Sequence, residues 1–137
     1  MTESKIVDLH KVIYPEEYKT SYVLTYPSLN DELKELIGKT GYVKDFKTKY
    51  HKALRFIENL KKTCVMNKKL FEELLDADGL YSMRLIGEVN IRIIFDFVKL
   101  EGKEVVVLFS CFQEKRTSDY KDGITTAKMR RKELFDI

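Results

Sequence analysis

The chain has 137 residues, of which 44% are hydrophobic and 34% charged, with a formal net charge of +3; that is the size and make-up of one soluble domain with a modest core. No apolar run approaches the roughly 20 residues that a membrane-crossing helix needs, and no signal-peptide pattern opens the chain, so a cytoplasmic protein without a membrane partner is expected. The charge is uneven: residues 37–69 carry ten Lys/Arg against two Asp/Glu, and residues 113–132 carry seven against three, blocks that are either solvated helix faces or a footprint for a polyanion.

Residues 1–20 show no sustained period, although Ile6, Val7, Leu9, Val12, Ile13 and Tyr14 are apolar enough to dock somewhere. They are read as an extension of uncertain structure preceding one domain over 21–137. Ser21 to Tyr26 reads as a strand closed by Pro27, which cannot donate to a ladder. Ser28 is an N-cap candidate, and Leu29, Leu33, Leu36 and Ile37 have helical spacing up to Gly38 and Gly41. A longer helix is predicted from Asp45 to Cys64, with Phe46, Tyr50, Ala53, Leu54, Ile57 and Leu60 on one stripe and Lys47, Lys49, Lys52, Arg55, Lys61 and Lys62 elsewhere on the cylinder. The two form a helical hairpin. Lys68 to Asp76 is predicted to continue as a short helix through Phe71, Leu74 and Leu75, with a turn at Asp78-Gly79.

Three apolar runs follow: Leu80 to Ile86, Val89 to Val98 and Val105 to Phe112, separated by Gly87-Glu88 and Leu100 to Lys103. Rich in Val, Ile and Phe and bounded by Gly and charge, they read as an antiparallel meander. Alternation sets Val89, Ile91, Ile93, Phe95 and Phe97 against Asn90, Arg92, Ile94 and Asp96. In the third run it sets Val105, Val107, Phe109 and Cys111 against Val106, Leu108, Ser110 and Phe112. Thr117 to Phe135 is helical in pattern, with Ile124, Ala127, Arg131, Leu134 and Phe135 on one side. The expected class is α+β, helices laid on one antiparallel sheet.

If the apolar faces of the first two runs coincide, Arg84 and Arg92 share the wetter face near their connecting turn. The third run ends beside Arg92 and delivers Lys115 and Arg116 to the same end. Cations converging there either pair with Asp96 and Glu114 or await an anion. Little else suggests chemistry: there is no GxGxxG, no GxxxxGK[ST] and no nucleophile beside a histidine, so no cofactor is expected. Cys64 and Cys111 lack CxxC spacing and read as small buried hydrophobes, and with only His10 and His51 no metal site is expected.

The segments Leu80-Tyr81-Ser82-Met83-Arg84-Leu85, Ile91-Arg92-Ile93-Ile94-Phe95, Val105 to Phe112 and Lys115-Arg116, with Ile124, Ala127 and Arg130 after them, resemble the RelE superfamily, in particular its HigB-like branch of bacterial and phage toxins. The branch has a strand of the type L-Y-E-x-R, one beginning y-R-[IV]-x-[FY], one of the type V-x-L-L-x-x-F, basic residues, and a helix I-x-x-A-x-x-R. Ser82 replaces the common acidic residue, Glu114 interrupts the basic run, and residues 1–20 have no counterpart. The resemblance implies a RelE-like fold: an antiparallel sheet of the N-terminal strand and the meander, a helical hairpin on one face, and a C-terminal helix.

It also implies the toxin of a type II toxin-antitoxin system, a ribosome-dependent, metal-independent endoribonuclease. Such an enzyme cuts messenger RNA by attack of a ribose 2′-hydroxyl on the adjacent phosphate, and a cognate antitoxin, here expected to be a helix-turn-helix protein encoded next door, neutralises it. On that reading Arg84 and Arg92, with Lys115 or Arg116, stabilise the phosphorane charge, and Tyr120 carries a proton or stacks on a base. Lys47, Lys49, Lys52, Lys61, Lys62, Lys128, Arg130 and Arg131 would contact RNA and the ribosome. Two other readings stay open: a ParE-like inhibitor that binds DNA gyrase and cleaves nothing, and a degenerate member that only binds its antitoxin.

Overall fold

A computed structural model describes residues 8–137, so Ile6 and Val7 of the predicted extension lie outside the described residues. The elements are β1 (Val23–Thr25), α1 (Leu29–Ile37), α2 (Val43–Leu60), a 3₁₀ segment (Lys61–Met66), β2 (Phe71–Glu73), β3 (Tyr81–Leu85), β4 (Ile91–Leu100), β5 (Lys103–Gln113) and α3 (Thr117–Phe135). The class is α+β: a five-stranded sheet in the order β1-β5-β4-β3-β2 with three α-helices. No helix among the described residues is long and apolar enough to cross a membrane.

The period of two in the meander decides what the sheet buries on each side. Met83, Leu85, Ile91, Ile93, Phe95, Val106 and Leu108 share one core with the apolar stripes of α1 and α2. On the other face Ile94, Val98, Val107 and Phe109 meet Ala127 and Leu134 of α3. With both faces covered, β5 is buried from Val105 to Ser110.

Three expectations are corrected. The sheet is mixed, because β1 pairs parallel with β5, Leu24 opposite Val107; the chain returns to β5 only after the helices and the meander, the long connection that parallel neighbours need. Phe71–Glu73 is an edge strand paired antiparallel with Tyr81–Met83, not part of a helix. And β5 carries a bulge: its partner on β4 steps from Ile94–Ser110 to Phe95–Leu108, leaving Phe109 as the extra residue. Phe109 packs in the α3-side core and Ser110 Oγ donates to the Gly123 carbonyl at 2.8 Å. Beyond the bulge the alternation is inverted, so Cys111 joins the α1/α2 side and Phe112 the α3 side. An inserted residue does this because side chains alternate strictly by position.

Smaller differences follow from local chemistry. Ser28 stands at the N-cap of α1, but its hydroxyl donates to Glu32 Oε2 at 2.9 Å and caps no backbone group. The helix expected to reach Cys64 ends at Leu60 and tightens into the 3₁₀ segment, with Lys61 at φ 54°. Of the segment ahead of β1, residues 8–20 are described, and they are tied into the domain. His10 bridges Thr25, Val12 is fully buried, and Asn30 Oδ1 accepts the backbone N–H of Ile13 and Tyr14 at 3.0 Å each. Ile13 itself points to solvent.

Candidate functional site

Since Met83, Leu85, Ile91 and Ile93 face α1 and α2, the residues between them face the other way, toward the first turn of α3. Arg84 and Arg92 are direct cross-strand partners there, and Arg92 is in turn opposite Phe112. Two guanidinium groups directly opposite one another repel unless neighbours offset them. The offset comes from three neighbours, Glu114, Tyr120 and the Lys68 carbonyl. Arg92 Nη2 pairs with Glu114 Oε1 at 2.7 Å, and its Nε donates to the Tyr120 hydroxyl at 2.9 Å. Arg84 Nη1 donates to the Lys68 carbonyl at 3.2 Å, while its Nε is buried without a partner.

Tyr120 reaches Arg92 because α3 begins four residues after β5 ends, which sets its first turn over the strand ends. Asp119 Oδ2 fixes that turn by accepting the backbone N–H of Lys115 at 2.7 Å and of Arg116 at 2.8 Å, and these bonds hold the Asp119 carboxyl below the usual range. The Tyr120 ring lies edge-on to Phe112, centroids 5.1 Å apart, and its oxygen is 3.4 Å from Ser82 Oγ and from Glu72 Oε1. Burial pushes the phenol up, with Ser82 and Arg92 opposing. At neutral pH it is therefore a proton donor and not a base. Arg92 is 6% exposed, a fixed cation with a tyrosine on one side and a carboxylate on the other. Lys115 and Arg116 are exposed just beyond, at the same end of the sheet.

The remaining basic candidates divide by place. Lys49 and Lys52 of α2 stand with Lys68, Lys69 and Arg84 around one hollow of about 500 Å³. Lys47 pairs with Glu16 at 3.1 Å, and Lys128 with Asp78 at 3.2 Å. Lys61 lies 3.9 Å over the Tyr22 ring and Lys62 lies 3.8 Å from Glu104; Glu104 is the second residue of β5, at the opposite end of the strand from the partner of Arg92. Arg130 and Arg131 hold the fold together. Arg130 takes Glu32 through both terminal nitrogens, donates to the Phe109 carbonyl at 2.8 Å and covers the Tyr26 ring, and Arg131, 6% exposed, pairs with Asp96 at 2.7 Å.

Chain spacing did not reveal Glu72 as a neighbour of Tyr120, nor Lys68 and Lys69 as neighbours of Arg84, because all three lie in or just before the strand expected to be a helix. The only hint was Glu114, an acid interrupting a basic run, and it is the partner of Arg92. No family model, curated protein or solved structure matches the chain. Among the described residues no group of His, Cys, Asp and Glu side chains is gathered so as to hold a metal ion. A second hollow, of about 340 Å³, is lined by Glu32, Asp119 and Asp122 with Arg130; its three carboxylates against one guanidinium disfavour an anion there.

Proposed function

We propose that this chain is a RelE-superfamily toxin of the HigB-like branch, an endoribonuclease that cuts messenger RNA on the ribosome and is held in check by a cognate antitoxin encoded beside it. One observation carries the reading: Arg84 and Arg92 stand directly opposite each other with the Tyr120 hydroxyl on Arg92. The element order supports it in part: a strand, two helices, the three-stranded meander and a final helix come in the order the resemblance implies, with the edge strand Phe71–Glu73 added and β1 parallel to β5.

In the proposed reaction the 2′-oxygen bonds to the adjacent phosphorus, the bond to the 5′-oxygen breaks, and a 2′,3′-cyclic phosphate remains. Arg92, already oriented by Tyr120, and Arg84 stabilise the charge gathering on the phosphoryl oxygens. The proton lost by the 2′-hydroxyl passes to a carboxylate, for which Glu72 and Glu114 lie at hand. The neutral phenol of Tyr120 gives a proton to the departing 5′-oxygen. For phosphate to reach Arg92, Glu114 turns aside, exchanging one anion for another on the same guanidinium.

The grip of Glu114 on a guanidinium that is 6% exposed also favours a second reading, a binder that cleaves nothing, such as a gyrase inhibitor. The test is primer extension on a message translated in the presence of the wild-type protein, with a gyrase supercoiling assay in parallel. Discrete 5′ ends within the translated message support the nuclease; intact message overturns it, and gyrase inhibition in the parallel tube promotes the binder. Stoichiometric co-purification with the product of the adjacent gene is expected in either case.

A further inference from the structure

The hollow between α2 and the end of β3 is built for something other than a phosphate backbone alone. Its rim holds Lys49, Lys52, Lys68, Lys69 and Arg84. Against these five cations, Asp45 on Lys49, at 2.7 Å, is the single carboxylate paired among the described residues. Lys52, Lys68 and Lys69 make no ion pair with any described residue, and Arg84 spends one terminal nitrogen on a carbonyl 3.2 Å away. A rim this short of counter-charge raises the local potential and draws anions.

The floor is aliphatic: Leu70, Leu85 and Ile86, with Ile86 51% exposed. An adjoining hollow of about 300 Å³ shares Lys52 and continues along α2 over Phe56 and Leu60, the latter 44% exposed. Nucleic acid held by such a rim would leave the larger floor unused, since bases seek aromatic platforms and that floor has none. Aliphatic side chains flanked by carboxylates use both parts, and about 500 Å³ is in the range that admits a small group of side chains.

We infer that this hollow is a docking site for an acidic segment of a partner protein, one that inserts Leu- or Ile-like side chains between Leu70 and Ile86 and lays carboxylates on Lys52, Lys68, Lys69 and Arg84. The site shares Arg84 with the Arg84–Arg92 pair, but neither Arg92 nor Tyr120 lines it, and its lysines and apolar floor stand whichever reading of that pair holds. Apolar anchoring supplies affinity and the cationic rim supplies orientation and on-rate.

Fluorescence anisotropy with three labelled probes tests it: an amphipathic peptide of leucine and glutamate, a polyglutamate of equal charge, and a single-stranded RNA of equal charge. The Leu/Glu peptide should bind the wild-type chain at least about tenfold more tightly than the other two, because only it fills the apolar floor. Lys68→Glu with Lys69→Glu should weaken it by on the order of tenfold or more and flatten its salt dependence. Ile86→Ser should weaken the Leu/Glu peptide and leave polyglutamate unchanged. All three positions are at the surface, and circular dichroism verifies that the variants fold. RNA binding as tightly as the Leu/Glu peptide would overturn the inference in favour of a nucleic-acid footprint. So would equal binding of the two peptides, or no binding of the Leu/Glu peptide at about 100 μM, an affinity too weak for a specific site.

Discussion

At the scale of single residues, the buried Arg131–Asp96 pair shows why a basic residue on an otherwise apolar helix face is not always a surface contact. Both side chains are largely covered, and burial raises the Asp96 carboxyl above its ordinary range even though Arg131 and the Phe97 N–H pull it down. Removing one partner leaves a buried charge without its counter-ion, a loss of about 3 kcal/mol. Arg131→Met should show that loss in urea unfolding at neutral pH, and adding Asp96→Asn should recover most of it. The pH dependence has a definite sign. An acid whose pKa is higher in the folded state favours folding when protonated, so this contribution is present below the unfolded value and is lost as pH rises through the folded one. The penalty of Arg131→Met should accordingly shrink on acidification. Which face Arg84 and Arg92 share was legible from alternation alone, because strand side chains repeat every two residues. That Glu114 neutralises Arg92 was not, since nothing in the spacing of a strand end says where the next side chain turns.

At the scale of elements, the meander was legible because its apolar patterns are long, in β4 and β5 ten and eleven residues, and α3 through the helical spacing of Ile124, Ala127, Arg131 and Leu134. β2 was not, because three residues of which two are exposed glutamates show no period. The bulge was hidden for a different reason: with both faces of β5 apolar, either register satisfies the pattern, and only the packing of Phe109 and Ser110 against α3 selects one. Gly123 marks how close that packing is. A Cβ there would lie 2.5 Å from two atoms of the Phe112 ring, which is itself braced against Tyr120. Alanine would gain about 1 kcal/mol of helix propensity, whereas overfilling a packed contact costs about 1 to 3 kcal/mol. Gly123→Ala should therefore be neutral to destabilising by up to about 2 kcal/mol in thermal unfolding, and should loosen Tyr120; a gain of about 1 kcal/mol would show that α3 stands farther from β5 than this.

At the scale of the whole molecule, two cores on opposite faces of one sheet make the strand ends rigid, and the strand ends carry the charges. α1 and α2 cover one face and α3 the other, so the end bearing Arg84, Arg92 and Tyr120 joins a nearly buried guanidinium on the α3 side to an open, lysine-rimmed hollow beside α2. That asymmetry is what a site needs if it must both fix a cation and admit a chain-like anion. The most direct measurement is the rate of message cleavage on ribosomes by the wild type, Arg92→Ala and Arg92→Lys. Loss of a preorganised donor should slow Arg92→Ala by the order of 10² to 10³, and Arg92→Lys should recover only part, since an ammonium cannot hold Tyr120 and a phosphate in the planar geometry of a guanidinium. Ribosome association, spread over many phosphate contacts, should change little and stay salt-dependent. Cleavage by Arg92→Ala at the wild-type rate would contradict the assignment of this end of the sheet as the catalytic site.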